Sequence, residues 1–292
     1  MNIKEFAEKA CNDIEKVLRK EVTCKEVDKL NGAKRYGLMI LEPGGNIAPT
    51  LYLDEFYHMY LHTENWQETI NQIIAAYLSD SFPKCIDMEW FKDFDRVQGL
   101  IFYKLINFDA NTALLEQIPH TRYLDFAMVY CVHYENKEFG SGSILIHNSH
   151  LTMWHCTTQD LARLAETNTP RLYPLTVFTM ENLLTELGYQ EDDSAVPNMP
   201  MYMMSNETST NGAISICYKD SLKNLANMLD SDLVILPSSV HEVLLLPLQG
   251  NGNFRELKDM VYEVNRTHLS KEEFLSDNIY LYRRSTDNIQ II

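Results

Sequence analysis

The chain has 292 residues, of which 45% are hydrophobic and 23% are charged. These proportions supply enough apolar side chains for a packed core and argue against an intrinsically disordered chain. The formal net charge is −16, and so acidic a surface repels phosphate groups, which argues against nucleic acid and anionic membranes as partners.

The first part of the chain alternates helices with extended segments. Apolar residues recur at helical spacing over residues 2–20, which predicts an amphipathic helix. The segments 22–29 and 34–41 flank Asn31-Gly32, a dipeptide that tolerates positive φ and predicts a hairpin. The following sequence predicts a turn at 42–46, an extended segment at 47–53 and a helix at 55–62 that is capped by Asp54. A second helix at 63–77, a linker at 80–87 and a helical or mixed region at 88–118 come next.

The second part is predicted to be richer in strands. LDFAMVYCVHY predicts a buried strand whose partner is SILIH, and the two helical segments that follow end before Pro170. Thr157 or Thr158 is the predicted N-cap of the second of these helices. Beyond it the sequence predicts a Pro-flanked loop and a strand on each side of Asn211-Gly212. These are followed by a helix at 221–229, the hairpin DLVILPSSVHEVLLLP at 232–247, a loop at 249–253, a helix at 254–265 and two short strands at 278–283 and 288–292.

This order of elements lacks the βαβ rhythm of a parallel sheet. The predicted fold class is therefore α+β, with helices interspersed among mainly antiparallel hairpins and sheets. We expect one unit over residues 1–292, with a weak subdivision into 1–82 and 88–292.

The N-terminal segment and the cysteines indicate the compartment. Residues 1–20 mix charges at helical spacing and lack the apolar core of a secretory signal, and apolar runs elsewhere are shorter than the roughly 20 residues of a membrane helix. Six cysteines are scattered without a CxxC motif or a close pair, which predicts reduced thiols and no disulfide framework or zinc ribbon. We therefore expect a soluble, cytoplasmic protein without a membrane segment.

Four phrases of the sequence carry a resemblance: NIAPTLYLDEFYHMYL, TMWHCTTQDLARLAETNTPRLYP, DSDLVILPSSVHEVLLLP and VNRTHLSKEEFLSDNIYLYRR. Together they resemble an uncharacterised family of bacterial proteins, common in gut anaerobes, that is known as a domain of unknown function. The resemblance extends over nearly the whole chain. It implies an intracellular bacterial protein, and it brings no established activity, substrate or catalytic residue.

The hairpin at 232–247 carries the first candidate site, formed by Ser239, His241 and Glu242. In a regular strand Ser239 and His241 share one face, whereas Glu242 points to the other. One hypothesis is a Ser-His pair in a hydrolase, although the Gly-x-Ser-x-Gly elbow of such enzymes is missing. The alternative, which turn chemistry favours, is that the hydroxyl groups cap free backbone groups of the Pro237-Ser238-Ser239 turn.

Two histidine sets are candidate metal sites. Glu55, His58 and His62 share one helix face, as in Glu-x-x-His metal motifs, but a second such motif is missing and HMYLH lacks the base of a metalloprotease. The other set comprises His147, His150 and His155, with Cys156 as a fourth candidate ligand for zinc. A helix start capped by Asn148 or Ser149 explains the second set more simply, and an exposed aromatic-rich helix explains the first.

Arg171 is the candidate ligand-binding residue. It follows Pro170 and precedes Pro174, which predicts a fixed extended segment. An arginine held in this way could clamp a carboxylate or a phosphate. An ion pair with one of the chain's many acidic residues is the simpler interpretation.

The sequence favours a non-catalytic interaction or regulatory protein whose acidic surface recognises a protein partner. Residues 1–42 carry nine Lys or Arg against eight Asp or Glu, so the net negative charge comes entirely from the chain after residue 42. The same charge also serves solubility, and mimicry of nucleic acid is a further hypothesis. The competing hypothesis is a hydrolase or metal-dependent enzyme that uses His241 with Ser239 and Glu242, or the His58 and His147 sets. No cofactor is predicted, and the sequence does not indicate an oligomeric state.

Overall fold

The computed structural model describes residues 1–41, 44–45, 48–79, 88–136, 140–180, 200–248, 250 and 253–292. The chain divides into two units, one formed by 1–90 with 135–141 and the other by 91–134 with 142–292. The weak boundary suggested between residues 82 and 88 coincides with residues 80–87, which lie outside the described residues. The predicted turns and loops at 42–46, 194–199 and 249–253 also lie wholly or partly outside them.

The first unit joins helices to a small antiparallel sheet. Its elements are α1 (Ile3–Leu18), β1 (Val22–Asp28), a 3₁₀ turn (Leu30–Gly32), β2 (Lys34–Ile40), β3 (Thr50–Tyr52), α2 (Asp54–Thr63) and α3 (Trp66–Ser79). The strand order is β1-β2-β3. Asn31 and Gly32 adopt φ values of 58° and 64°, so the hairpin forms at the dipeptide that predicts it.

The core of the first unit forms on one face of α1. Phe6, Ala10 and Ile14 are buried at helical spacing. The ring of Phe6 lies 5.3 Å from that of Tyr57 and 5.4 Å from that of Trp66, measured between ring centroids. The helix begins with a capping box, because the side chain of Asn2 accepts from the backbone N–H of Glu5 and the Glu5 carboxylate accepts from that of Asn2.

The second unit contains most of the strands. Its early elements are α4 (Glu89–Lys92, shared with the first unit), α5 (Phe94–Val97), a 3₁₀ turn (Gln98–Leu100), β4 (Ile101–Asn107), a 3₁₀ turn (Asp109–Asn111), α6 (Thr112–Leu115), β5 (His120–Tyr123), β6 (Phe126–Asn136), β7 (Gly140–Leu145), α7 (Asn148–Trp154) and α8 (Thr158–Leu172). The later elements are β8 (Leu175–Thr179), β9 (Tyr202–Asn206), a 3₁₀ helix (Gly212–Cys217), α9 (Ser221–Met228), β10 (Leu233–Pro237), β11 (Val243–Pro247), α10 (Phe254–Thr267), β12 (Tyr280–Arg283) and β13 (Asn288–Ile291).

Two antiparallel sheets organise the second unit. One has the order β4-β6-β5, with β7 also paired to β6, and the other has the order β13-β12-β10-β11-β9-β8. Helix α10 packs on one face of the second sheet, where Val261 joins the buried residues Val234, Leu246 and Leu281. Within the described residues the α+β prediction with mainly antiparallel sheets is therefore confirmed.

A carboxylate in the turn before β6 joins the two sheets of the second unit. Asp125 accepts hydrogen bonds from the hydroxyl groups of Ser276 and Tyr280, at 2.6 and 2.7 Å, and from the side-chain amide of Asn278 at 3.0 Å. Burial, and secondarily the negative charge of Asp125, raises the pKa of the Tyr280 phenol, which therefore remains a donor. The side chain of Asn107 adds a bond to the carbonyl oxygen of Leu275 at 2.9 Å.

Helix α8 continues through Pro170 to Leu172, so the prediction that it stops before the proline was wrong. The last turns are attached to the neighbouring chain by side chains. Asn168 donates to the carbonyl oxygens of Gln98 and Ile101, and the hydroxyl of Thr169 accepts from the backbone N–H of Tyr103. These contacts hold the helix where Pro170 removes one of its own backbone hydrogen bonds.

One further prediction of local structure needs correction. The segment after Asn211-Gly212 was predicted as a strand, but Gly212–Cys217 is a 3₁₀ helix. Strand β4 lies in the region predicted as helical or mixed, and five of its seven residues are buried, so it lacks a clear alternation. Among the helices in the described part of the chain, none has both the length and the apolar character needed to cross a membrane.

Candidate functional site

The hairpin residues that motivated the hydrolase hypothesis lie beside a second loop at one end of the large sheet. Residues 238–242 connect β10 to β11, and residues 206–212 lead from β9 into the 3₁₀ helix. Because β9 and β11 are antiparallel neighbours, the end of one lies next to the start of the other. We call residues 206–212 and 238–242 the paired loops.

The first of the paired loops is held by the amide of Asn206, which is 2% exposed. Its side-chain oxygen accepts from the backbone N–H groups of Thr208 and Thr210, at 3.1 and 3.3 Å, and from the Thr208 hydroxyl at 2.9 Å. Its NH₂ group donates to the carbonyl oxygen of Thr210 at 2.9 Å. This side chain therefore holds the loop in one conformation.

Residues on either side of the first loop bond to backbone carbonyl groups of the second. The hydroxyl of Ser205 donates to the carbonyl oxygen of His241 at 2.8 Å, and the N–H of Ala213 donates to that of Val240 at 3.2 Å. A Cβ atom at Gly212 would lie 2.4 Å from the carbonyl oxygen of His241 and 2.1 Å from the hydroxyl of Ser205. Only a residue without a side chain fits this approach.

The Ser239 hydroxyl is engaged within its own turn. It donates to the Glu242 carboxylate at 2.8 Å and accepts from the backbone N–H of His241 at 2.9 Å. Ser239 is also 5% exposed. A serine nucleophile must instead pass its proton to a base such as imidazole. This geometry corresponds to the interpretation in which the hydroxyl caps backbone groups of the turn.

The imidazole of His241 is fixed by the neighbouring loop. Its Nδ1 atom accepts from the backbone N–H of Asn211 at 3.1 Å, so in the neutral ring the proton is on Nε2. Nε2 lies 3.9 Å from Oε1 of Glu273, and these side chains are 31% and 43% exposed. Glu273 is itself held, because its carboxylate accepts from the Ser270 hydroxyl at 2.8 Å and its carbonyl oxygen accepts from the N–H of Val240.

The set on α2 lies in the first unit and faces solvent. Glu55, His58 and His62 are all exposed, whereas Phe56, Tyr57 and Tyr60 on the other side of the helix pack against the core. Asp54 is the first helical residue, and the N-cap position belongs to Leu53 without a side-chain bond, so the predicted Asp54 cap was wrong. The arrangement is that of an exposed helix face.

The second histidine set is divided between the two ends of α7. His147 occupies the N-cap position, so the prediction of Asn148 or Ser149 as the cap was wrong, and its backbone N–H donates to Nδ1 of His150 at 3.1 Å. The ring of His150 packs against Phe91 and Trp154, with centroid distances of 5.0 and 5.6 Å. His155 is exposed and ends the helix with a φ of 52°.

His150 makes the stability of this region dependent on pH. Burial, and secondarily the neighbouring His147, lowers the pKa of His150 below its usual 6.5. The unfolded chain then takes up the proton at a higher pH than the folded chain, so the free energy of unfolding should fall as the pH falls below about 6.5. Urea denaturation at about pH 7.5 and about pH 5.5 measures this loss. His150→Gln should reduce it and His155→Gln should not; equal losses in both variants would contradict the assignment.

Arg171 lies in the last turn of α8 and not in an extended segment, so that prediction was wrong. Its guanidinium donates to the carbonyl oxygen of Gly99 at 2.5 Å and makes a longer contact with the side-chain oxygen of Asn168. The predicted partner was a carboxylate, whereas the contacts in the structure are with uncharged oxygen atoms. Arg171 thus adds to the attachment of α8 beside β4.

Within the second unit, His241 and Arg171 make separate sets of hydrogen bonds. The hydrogen bonds of His241 involve Asn211, Ser205 and Ser239, and those of Arg171 involve Gly99 and Asn168. In the part of the chain that the structure describes, no three His, Cys, Asp or Glu side chains are placed together as metal ligands. Sequence reasoning did not select Asn206, Gly212 or Glu273, although the turn-forming composition of SNETSTNG is a signal for the first two.

Comparison with protein families supplies one match. A model described as a family of unknown function, DUF5688, matches residues 3–284. The chain belongs to this family. The match confirms the resemblance seen in the four sequence phrases, and DUF5688 has no established activity. Neither the curated proteins nor the solved structures contain a match to this DUF5688 chain.

Proposed function

We propose that this chain is a non-catalytic, cytoplasmic interaction or regulatory protein that recognises a basic segment of a protein partner at the paired loops and the adjoining Glu273. The observation that carries the proposal is the half-exposed pair of His241 and Glu273 on loops that hydrogen bonds hold in place. A fixed carboxylate binds a cationic side chain without the cost of ordering a flexible loop.

The hydrogen bonds of the hairpin favour recognition over hydrolysis. The Ser239 proton is directed to Glu242, and the Nδ1 atom of His241 is occupied by a backbone N–H. The groups left to contact a partner are Nε2 of His241 and the carboxylate of Glu273, both on partly exposed side chains. A charge-assisted hydrogen bond from a lysine or arginine to such a carboxylate is stronger than a neutral one.

The overall charge supports a basic partner. A net charge of −16 attracts cationic segments at long range and accelerates their encounter with the surface. The free thiols of Cys11, Cys24, Cys131, Cys156 and Cys217 are consistent with a reducing compartment.

Binding to an array of peptides tests the proposal. Peptides that carry lysine or arginine should bind the full chain better than the same peptides with glutamine at those positions, and added salt should weaken the binding. Glu273→Gln should weaken it about tenfold, because the cation loses its charged partner. Glu256→Gln, which changes an exposed carboxylate on α10, is the matched control. Equal affinity for the neutral peptides, or equal loss in the two variants, would refute the proposal.

A fluorophosphonate probe separates this function from the hydrolase hypothesis. The probe labels serine nucleophiles that an adjacent base activates. The Ser239 hydroxyl should remain unlabelled, and Ser239→Ala should give the same result as the unchanged chain. Labelling that disappears in Ser239→Ala would favour the hydrolase.

A further inference from the structure

Two cysteines that are distant in sequence meet in the first unit. Cys11 lies in α1 and Cys24 in β1, and both pack against the core that contains Val22 and Ile14. The thiol of Cys11 donates to the carbonyl oxygen of Val22 at 3.3 Å. Since alternate residues of a strand share a face, the side chain of Cys24 lies on the same side of β1 as that of Val22.

The two thiols are neighbours where α1 packs on β1, because Cys11 bonds to Val22 and Cys24 follows two residues later on the same face of the strand. Burial, and secondarily the neighbouring Cys11, raises the pKa of the Cys24 thiol. Both residues are half-buried, so neither is sealed from solvent.

We propose that Cys11 and Cys24 form a reversible disulfide by exchange with a low-molecular-weight disulfide. The Cys11 thiolate attacks one sulfur of the small disulfide, forms a mixed disulfide and releases one small thiol. The sulfur of Cys24 then loses its proton and attacks Cys11, and the second small thiol leaves. Two protein thiols are oxidised, and one small disulfide is reduced to two thiols.

The environment of the pair sets the order and the rate. Burial keeps Cys24 protonated at neutral pH, so first attack is assigned to Cys11 and the exchange should become faster as the pH rises. The finished bond would tie α1 to β1 and close the loop from residue 11 to residue 24. Closure of a loop of this length should raise the melting temperature of the first unit on the order of 10 °C.

The experiment treats the folded full chain with oxidised glutathione. We expect a product that has lost two hydrogen atoms, a proteolytic peptide that joins residues 11 and 24, a higher melting temperature and full reversal by dithiothreitol. Cys24→Ser should stop at a glutathione adduct on Cys11. Cys156→Ser removes a half-buried thiol of the second unit and should leave the product unchanged.

Three results would overturn the proposal. One is a folded chain in which residues 11 and 24 are modified separately and never joined. Another is joining only in urea, because the fold would then not be what brings the thiols together. The third is a Cys24→Ser chain that still gives the oxidised product through another cysteine. All three are independent of peptide binding, which concerns the second unit.

Discussion

Gly212→Ala should lower the free energy of unfolding of the second unit by about 3 kcal/mol, the upper part of the range for overpacking in a tightly packed region. The added methyl group would lie 2.4 Å from the carbonyl oxygen of His241 and 2.9 Å from the backbone nitrogen of Asn206. These are backbone atoms, so the strain cannot be relieved by rotating a side chain. The paired loops must separate, and the hydrogen bond from Ser205 to His241 must stretch. Urea denaturation followed by circular dichroism measures the change.

Gly142→Ala is the matched control for this substitution. A Cβ atom at Gly142 meets no other atom within 4 Å, so this variant should unfold close to the unchanged chain. Equal stability of the two variants would mean that the paired loops do not approach as closely as described. The Gly212 variant should also bind basic peptides more weakly, because His241 belongs to the loop that moves.

Asp125→Ala should cost about 2 to 4 kcal/mol, because two buried hydroxyl donors would lose a charged acceptor. Three donors would lose their acceptor: the hydroxyl groups of Ser276 and Tyr280, and the amide of Asn278. Ser276 and Tyr280 are each 1% exposed, so the variant would leave two buried hydroxyl groups without this acceptor. Thermal unfolding and urea denaturation both report the loss.

Two variants define the scale of that loss. Asp109→Ala removes an exposed carboxylate from the neighbouring 3₁₀ turn and should change the stability by less than about 0.5 kcal/mol. Tyr280→Phe removes one of the three donors and should cost about 1 kcal/mol. If Asp125→Ala were no more damaging than Asp109→Ala, the network would not hold the sheets together.

Local chemistry predicted several elements of the fold because it agrees with the packing. Asn31-Gly32 forms a hairpin since both residues adopt positive φ, and the apolar spacing of α1 matches its buried face. The strands around Pro237-Ser238-Ser239 form as predicted, because the turn chemistry and the apolar runs specify the same hairpin. In each case the information lies within about twenty residues.

The corrections come from contacts between segments that are far apart in sequence. Helix α8 passes through Pro170 because Asn168 and Thr169 bond to residues about 70 positions earlier. The same limit applies to the candidate site. The partner of the His241 ring lies 30 residues before it, and the pairing of Cys11 with Cys24 depends on how a helix packs on a strand. Local propensity does not carry this information.

The attachment of Asp125 to residues near 280 has a consequence for synthesis on the ribosome. The bonds from Ser276, Asn278 and Tyr280 join positions 151 to 155 residues apart, and β10 pairs with β12 across more than 40 residues. Contacts of such long sequence separation form slowly. The nascent second unit must therefore wait for residues 276–283 before its two sheets can be joined, and until then the apolar strand β10 lacks one neighbour. An unpaired edge on an apolar strand favours aggregation, so we expect the nascent chain to be most prone to aggregate before residues 276–283 have left the ribosome.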